Sequence, residues 1–115
     1  MFLQLAHTKL NVFVVSKEFI LSCYKAGQSF PREEKFSMVQ QIRRTAFSVH
    51  LNVAEGCLRR SVAERMRSYE VARGSIIEVD ALDIVVKLGY TSPEKLTELG
   101  ALLRRSFQLI SRMIS

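Results

Sequence analysis

The sequence predicts an all-α chain folded as an antiparallel up-down-up-down four-helix bundle, and three observations carry that prediction. Apolar residues recur at three- and four-residue spacing in four successive stretches. No stretch sustains the period-two alternation of a half-buried strand, and two prolines with five glycines leave little room for the turns of a β sandwich. Helix-ending and helix-starting residues fall together at three places, so connections are short and consecutive helices become antiparallel neighbours.

The first helix is expected from about Leu10 to Ala26. Val12, Val15, Phe19, Cys23 and Ala26 form its apolar stripe, with Phe13, Ile20 and Tyr24 beside it and Gly27 as its terminator. Phe30-Pro31 opens the second helix: proline fits a first turn, and Glu33 and Glu34 suit the positive end of a helix dipole. That helix is expected to reach about Cys57, burying Val39, Ile42, Ala46, Val49 and Val53, with Gly56 marking its end.

Ser61 and Glu64 have the spacing of a capping box, which starts a third helix near Val62. Its stripe is Met66, Tyr69, Ala72, Ile76, Val79, Leu82 and Val86, widened by Ile77, Ala81, Ile84, Val85 and Leu88, and Gly89 closes it. Ser92 and Pro93 read as an N-cap and first-turn pair for the last helix, whose apolar face is Leu96, Leu99, Leu103, Phe107, Ile110 and Met113. The longer helices should extend about 35–40 Å. The second and third are apolar over more of their circumference than a monomeric bundle buries, a surplus that implies self-association.

At 115 residues the chain is one domain, 1–115, in which 1–9 is expected to be a poorly ordered extension. No apolar run approaches the roughly 20 residues of a membrane span. Met1 to Ala6 lacks the charged start and cleavage site of a signal peptide, so a cytoplasmic location is expected. Cys23 and Cys57 form no CxxC pair, have no histidine at metal-ligand spacing, and read as reduced core residues.

The net charge of +6 is unevenly distributed. Phe36 to Arg67 holds Arg43, Arg44, Arg59, Arg60, Arg65 and Arg67 against Glu55 and Glu64, a net +4, while Ser68 to Glu98 carries −3. Antiparallel packing should gather Arg59, Arg60, Arg65, Arg67, Lys9 and Arg112 at one pole and Asp80, Asp83, Glu94 and Glu98 near the other. Arginine-rich surfaces suit phosphate, because the guanidinium donates paired hydrogen bonds and stays charged. Nucleic acid is the natural polyanion; the alternative is that these arginines pair with Glu55, Glu64 and Glu70. No aromatic series interleaves with them, so neither base stacking nor sequence readout is indicated.

Overlying the apolar stripe of the second helix is a polar one: Gln41, Arg44, Ser48, Asn52, Glu55 and Arg59. It faces either water or a partner, whether helix, subunit or ligand. Ser48, Asn52, Glu55, Glu70, Ser75 and Glu78, with Arg44, Arg59 and Arg73 as partners for the carboxylates, are expected to form a polar network that fixes helix register rather than a catalytic pair.

The catalytic inventory is thin. Only His7 and His50 are present, and His50 reads as an interface or core-edge residue rather than a base. No glutamate has a histidine three residues on, as di-iron bundles require, and no glycine-rich phosphate loop or zinc spacing appears. The chain is expected not to be an enzyme and to need no metal, cofactor, membrane or small-molecule substrate; an enzyme joining Glu55 or Glu78 to His50 would need them in one cleft.

Gln41-Ile42-Arg43-Arg44, Ser48, Asn52-Val53-Ala54-Glu55-Gly56, Arg59-Arg60-Ser61 and Glu64 resemble the bacterial four-helix-bundle family named for proteins encoded in 23S rRNA intervening sequences. Glu70, Ala72-Arg73-Gly74-Ser75 and Glu78 resemble its third-helix motif, Leu88-Gly89-Tyr90 its following turn, and Tyr24 with Phe30-Pro31-x-Glu33-Glu34 its first hairpin. Phe13 stands where the family often has tryptophan, and Met1 to Thr8 matches nothing in it. The resemblance implies a homopentameric ring without established enzymatic activity. The family is also similar to accessory proteins of diversity-generating retroelements, basic pentamers that work with a reverse transcriptase and its RNA. By that analogy Arg43, Arg44, Arg59, Arg60, Arg65, Arg67 and Arg112 are candidate RNA contacts, and a protein-only structural or regulatory oligomer is the alternative.

Overall fold

The computed structural model describes residues 10–81, 84, 87–89 and 91–114, and among these the chain has four α-helices and no strand. They are α1 (Asn11–Gly27), α2 (Gln40–Leu58), α3 (Val62–Asp80) and α4 (Thr97–Ile114). α1 packs on α2 and α4, and α3 packs on the same two, so the helices enclose one core. None of the described helices is long and apolar enough to cross a membrane. The expectations for the 1–9 extension, His7, Lys9, Leu82, Asp83, Val85, Val86, Tyr90 and the side chain of Glu34 lie outside the described residues.

α1 follows its apolar pattern closely. Val12, Phe13, Val15, Phe19, Ile20 and Cys23 are buried, with Ser16 among them, while Tyr24 is exposed. Gly27 does not end the helix by a left-handed turn: it is the last helical residue, and Gln28 after it is still right-handed. Its role is steric. A Cβ there would lie 2.8 Å from Val39 Cγ1, so the absence of a side chain lets α1 and the approach to α2 come together.

The second helix begins later than Pro31. A 3-10 turn (Arg32–Glu34) and a π turn (Lys35–Val39) precede α2. Phe30 and Val39 are both buried. Nine residues apart, they would point to opposite faces of one regular α-helix, and the change of pitch between them lets both enter the core. Beyond it, Ala46, Val49 and Val53 are fully buried as the spacing predicts.

Gly56, like Gly27, stands near the expected end of its helix for a steric reason. It lies inside α2, where a Cβ would fall 2.4 Å from Tyr69 Cε1, and the helix ends only when Arg59 turns extended (φ −74°, ψ 144°). Ser61 Oγ then accepts from Glu64 N at 3.1 Å, as the capping box predicts. At 19 residues each, α2 and α3 span about 28 Å, shorter than expected.

α3 is bounded at Asp80, with Ala81 in a turn, rather than running unbroken to Leu88; beyond it Ile84 and Lys87 are again helical, Leu88 N donates to Ile84 O, and Gly89 takes the left-handed φ of 78° that closes helices. Of the described residues expected to widen its buried arc, Ile77, Ala81, Ile84 and Leu88 are all exposed. Before α4, Pro93–Leu96 is a 3-10 turn, and Ser92 makes no side-chain cap. Leu99 and Ile110 are core residues as expected; Phe107 is exposed and its neighbour Ser106 is fully buried.

Candidate nucleic-acid interface and polar groove

The α2–α3 turn consists of Arg59, Arg60 and Ser61. One helical turn back from Arg59, Glu55 pairs with its guanidinium, both side chains being about half exposed. An exposed pair of this kind adds about 0–1 kcal/mol to stability, so its main effect is to direct the side chain. Arg65 Nη1 donates to the Arg59 carbonyl at 3.4 Å, which ties the start of α3 back onto the turn. Arg60 and Arg67 are exposed and make no ion pair among the described residues.

Beside the turn runs a groove of about 370 Å³ between α2 and α3, lined by Asn52, Glu55, Arg59, Glu64, Arg67, Ser68 and Val71. Beneath it, Asn52 Nδ2 donates to the Ser48 carbonyl at 2.8 Å and to Ser48 Oγ at 3.1 Å, and Ser75 Oγ donates to Ser48 Oγ at 3.3 Å. The last of these bonds joins α2 to α3 through two short side chains whose reach allows little sliding. At the groove's end, Tyr69 lies over Gly56 with its hydroxyl 3.7 Å from Cys57 Sγ. Burial, then the contact with Cys57, pushes the Tyr69 phenol up to about 12. Burial alone raises the Cys23 thiol to about 12, which keeps it protonated and unreactive at neutral pH.

The structure thus brings Arg59, Arg65, Arg67, Glu55 and Glu64 together, and joins Ser48, Asn52 and Ser75. Other predicted site residues lie elsewhere. Arg43 is at the far end of α2, where its Nη2 donates to the Tyr24 carbonyl at 2.9 Å and its guanidinium lies 4.7 Å from the Tyr24 ring centre. Arg44 is exposed on the outer face of α2, and Arg112 on α4. Glu70 and Glu78 are exposed, Arg73 is half-buried, and none of the three makes an ion pair among the described residues. Asp80 lines a groove with Arg104, and Glu94 and Glu98 line another with Lys25 and Lys95.

His50 is the core-edge residue its position suggests. Its Nδ1 is 2.7 Å from Ser16 Oγ and its ring centre 4.1 Å from that of Phe13. Ser16 Oγ donates to the Phe13 carbonyl at 3.0 Å, which leaves it to accept from His50 Nδ1–H. Sequence spacing did not reveal this serine, since a serine within an apolar stripe carries no sign of its partner. Ser16 has no exposed surface, so the pair fastens α1 to α2. Glu55 faces the α3 side and His50 the α1 side, and the two do not share a cleft. Among the described residues no three His, Cys, Asp or Glu side chains converge as metal ligands.

Residues 8–114 match the family described as 23S rRNA-intervening sequence protein. The chain belongs to this family. Its membership accounts for the order of motifs from Tyr24 to Leu88-Gly89. A crystal structure of a protein of unknown function from the S23 ribosomal protein family of Bacteroides thetaiotaomicron is similar, with a TM-score of 0.80 at 21% identity over 90% of this chain and 98% of that one. At that identity the likeness concerns the fold. No curated protein matches the chain.

Proposed function

We propose that this family member is a non-enzymatic, cytoplasmic accessory protein that assembles into a ring of copies, a homopentamer on the family resemblance. It binds RNA through the arginines of the α2–α3 turn without reading its sequence. The observation that carries the reading is the turn itself: Arg60 and Arg67 are exposed without a carboxylate partner, next to Arg59 and Arg65, on two helix ends held by a serine cap and a backbone bond. Arg59, paired with Glu55, and Arg65, bonded to the Arg59 carbonyl, are already oriented and lose little freedom when a phosphate arrives. The family's association with 23S rRNA intervening sequences supports the choice of RNA, and its likeness to retroelement accessory proteins suggests a reverse transcriptase as a partner.

The helices are read as alternating up and down. Supporting this, Gly27 meets Val39 while Ser16 meets His50, and Gly56 meets Tyr69 while Ser48 meets Ser75, so contacts advance along one helix as they retreat along its neighbour. The competing reading is an oligomer that binds protein only. It is favoured by the Glu55–Arg59 pair and the inward Arg43, which remove two guanidinium groups from the available charge.

Filter binding to a structured RNA separates the two. With about four phosphate contacts, affinity should fall roughly fifty- to a hundred-fold between about 50 and 200 mM salt. Arg60→Ala/Arg67→Ala should weaken binding with helicity unchanged. Absence of binding at low salt, or binding indifferent to salt, would leave the protein-only reading.

A further inference from the structure

We infer that the groove between α2 and α3 takes the base of one unpaired nucleotide, so that the RNA is single-stranded or looped where it meets the basic turn. This rests on the RNA reading above and specifies the form of RNA that the site accepts.

The groove is not a phosphate cradle. Arg59 and Arg67 line it, but so do Glu55 and Glu64, and two carboxylates beside an entering phosphate repel it. What the lining offers instead is a set of hydrogen-bond acceptors. Asn52 directs its Nδ2 at the Ser48 carbonyl and hydroxyl, which leaves its Oδ1 to accept from a ligand. The Glu64 side chain makes no hydrogen bond or ion pair among the described residues; only its backbone N–H is engaged, by Ser61. Such acceptors call for N–H donors, and every nucleobase carries at least one on the Watson–Crick edge that unpairing exposes. The Ser68 hydroxyl and the Arg67 guanidinium match the carbonyls and ring nitrogens beside those donors. Val71, 48% exposed, adds an apolar wall for the face of the base.

Size agrees with this occupant. At about 370 Å³ the groove is at the lower end of the ~300–1,000 Å³ range of small-ligand clefts, room for one nucleotide-sized group but not for a helix about 10–12 Å across. Arg60, exposed and outside the groove, is left for the adjoining phosphate.

The rim supplies an independent sign. Leu58 and Val62, 66% and 63% exposed, are the most exposed large apolar side chains described, and they flank Arg59-Arg60-Ser61. A continuous duplex presents phosphates, ribose hydroxyls and base edges while its base faces stay stacked inside, so it has nothing apolar for these two side chains. An unpaired segment does, because its bases splay out and show their faces.

The test is filter binding at low salt of an unstructured RNA strand and of the same strand annealed to its complement. The single strand should bind at least about tenfold more tightly than the duplex. Glu64→Ala should weaken single-strand binding about tenfold through the lost acceptor, and leave duplex binding unchanged or stronger. A surface that attracts phosphate alone gives the opposite sign, since removing an acid then strengthens binding to both forms. Val71→Ser, which alters no charge at an exposed position, should also lower single-strand affinity alone, and circular dichroism checks that both variants keep their helices. A duplex bound as tightly as the strand, or a Glu64→Ala variant that binds both more tightly, would overturn the base site and leave the RNA reading standing. Binding of neither form would overturn both.

Discussion

The two ends of α2 are built alike and use arginine in opposite ways. Each end relies on a glycine where two helices come too close for a side chain: Gly27 on α1 makes room for Val39, and Gly56 on α2 makes room for Tyr69. At the first end Arg43 turns inward, donating to the Tyr24 carbonyl and lying over its ring. At the second, Arg59 and Arg65 direct themselves around the turn while Arg60 and Arg67 remain exposed. A guanidinium is structural where a neighbouring helix end offers a carbonyl and an aromatic face, and available where only a turn lies beyond it. Counting charge along the sequence does not separate the two cases.

The sharpest way to break this comparison is at the glycines. Gly56→Ala should cost about 2–3 kcal/mol, because the new Cβ meets a ring that is itself buried. Gly27→Ala should cost less, about 1–2 kcal/mol, since a methyl of Val39 has more freedom to move. Urea midpoints with unchanged slopes measure both, and equal losses would mean that the two ends are not packed as described.

Next in size is an alkaline effect at the Tyr69 end. The folded phenol titrates at about 12 against an ordinary 10.0, so folding favours the neutral form. That contribution is complete below about pH 10 and disappears as the pH rises toward 12. Cys23, raised from 9.0 to about 12, acts in the same direction over a wider window. Wild type should therefore lose stability between pH 9 and 12, and Tyr69→Phe should lose less across the upper part of that range, as followed by urea midpoints at successive pH values.

The smallest effect distinguishes the arginines themselves. Arg43→Ala should destabilise the fold by about 1–2 kcal/mol through the lost carbonyl bond and ring contact. Arg60→Ala should stay within about 0.5 kcal/mol of wild type while weakening RNA binding. Thermal melts paired with filter binding read both, and a reversed pattern would exchange the roles assigned to the two ends.

The helices were legible because their apolar spacing and the Ser61–Glu64 box are local signals. The helices end close to Gly27 and Gly56 as expected, but both glycines are there to admit a neighbouring side chain, and in one dimension such a glycine looks like one that ends a helix by its conformation. The wide apolar arc of α3 was legible as surplus, but which part of it faced outward depended on where α4 packed. Of the candidate site, the pairing of Glu55 with Arg59 and the closeness of Ser48 to Asn52 follow from four-residue spacing. The inward turn of Arg43 and the Ser16–His50 contact join residues 19 and 34 positions apart, a separation no local pattern reports.

The turn after α2 has a consequence in time as well as in space. Only Arg59 to Ser61 separate two helices of 19 residues each, whereas longer connections lead to α1 and α4. Bringing α2 and α3 together therefore closes the smallest loop in the chain, and the Gly56–Tyr69 approach and the Ser48–Ser75 bond follow from it. That hairpin is the natural folding nucleus, with α1 and α4 docking afterwards. Substitutions there should be felt as slower folding, and those on α1 or α4 as faster unfolding.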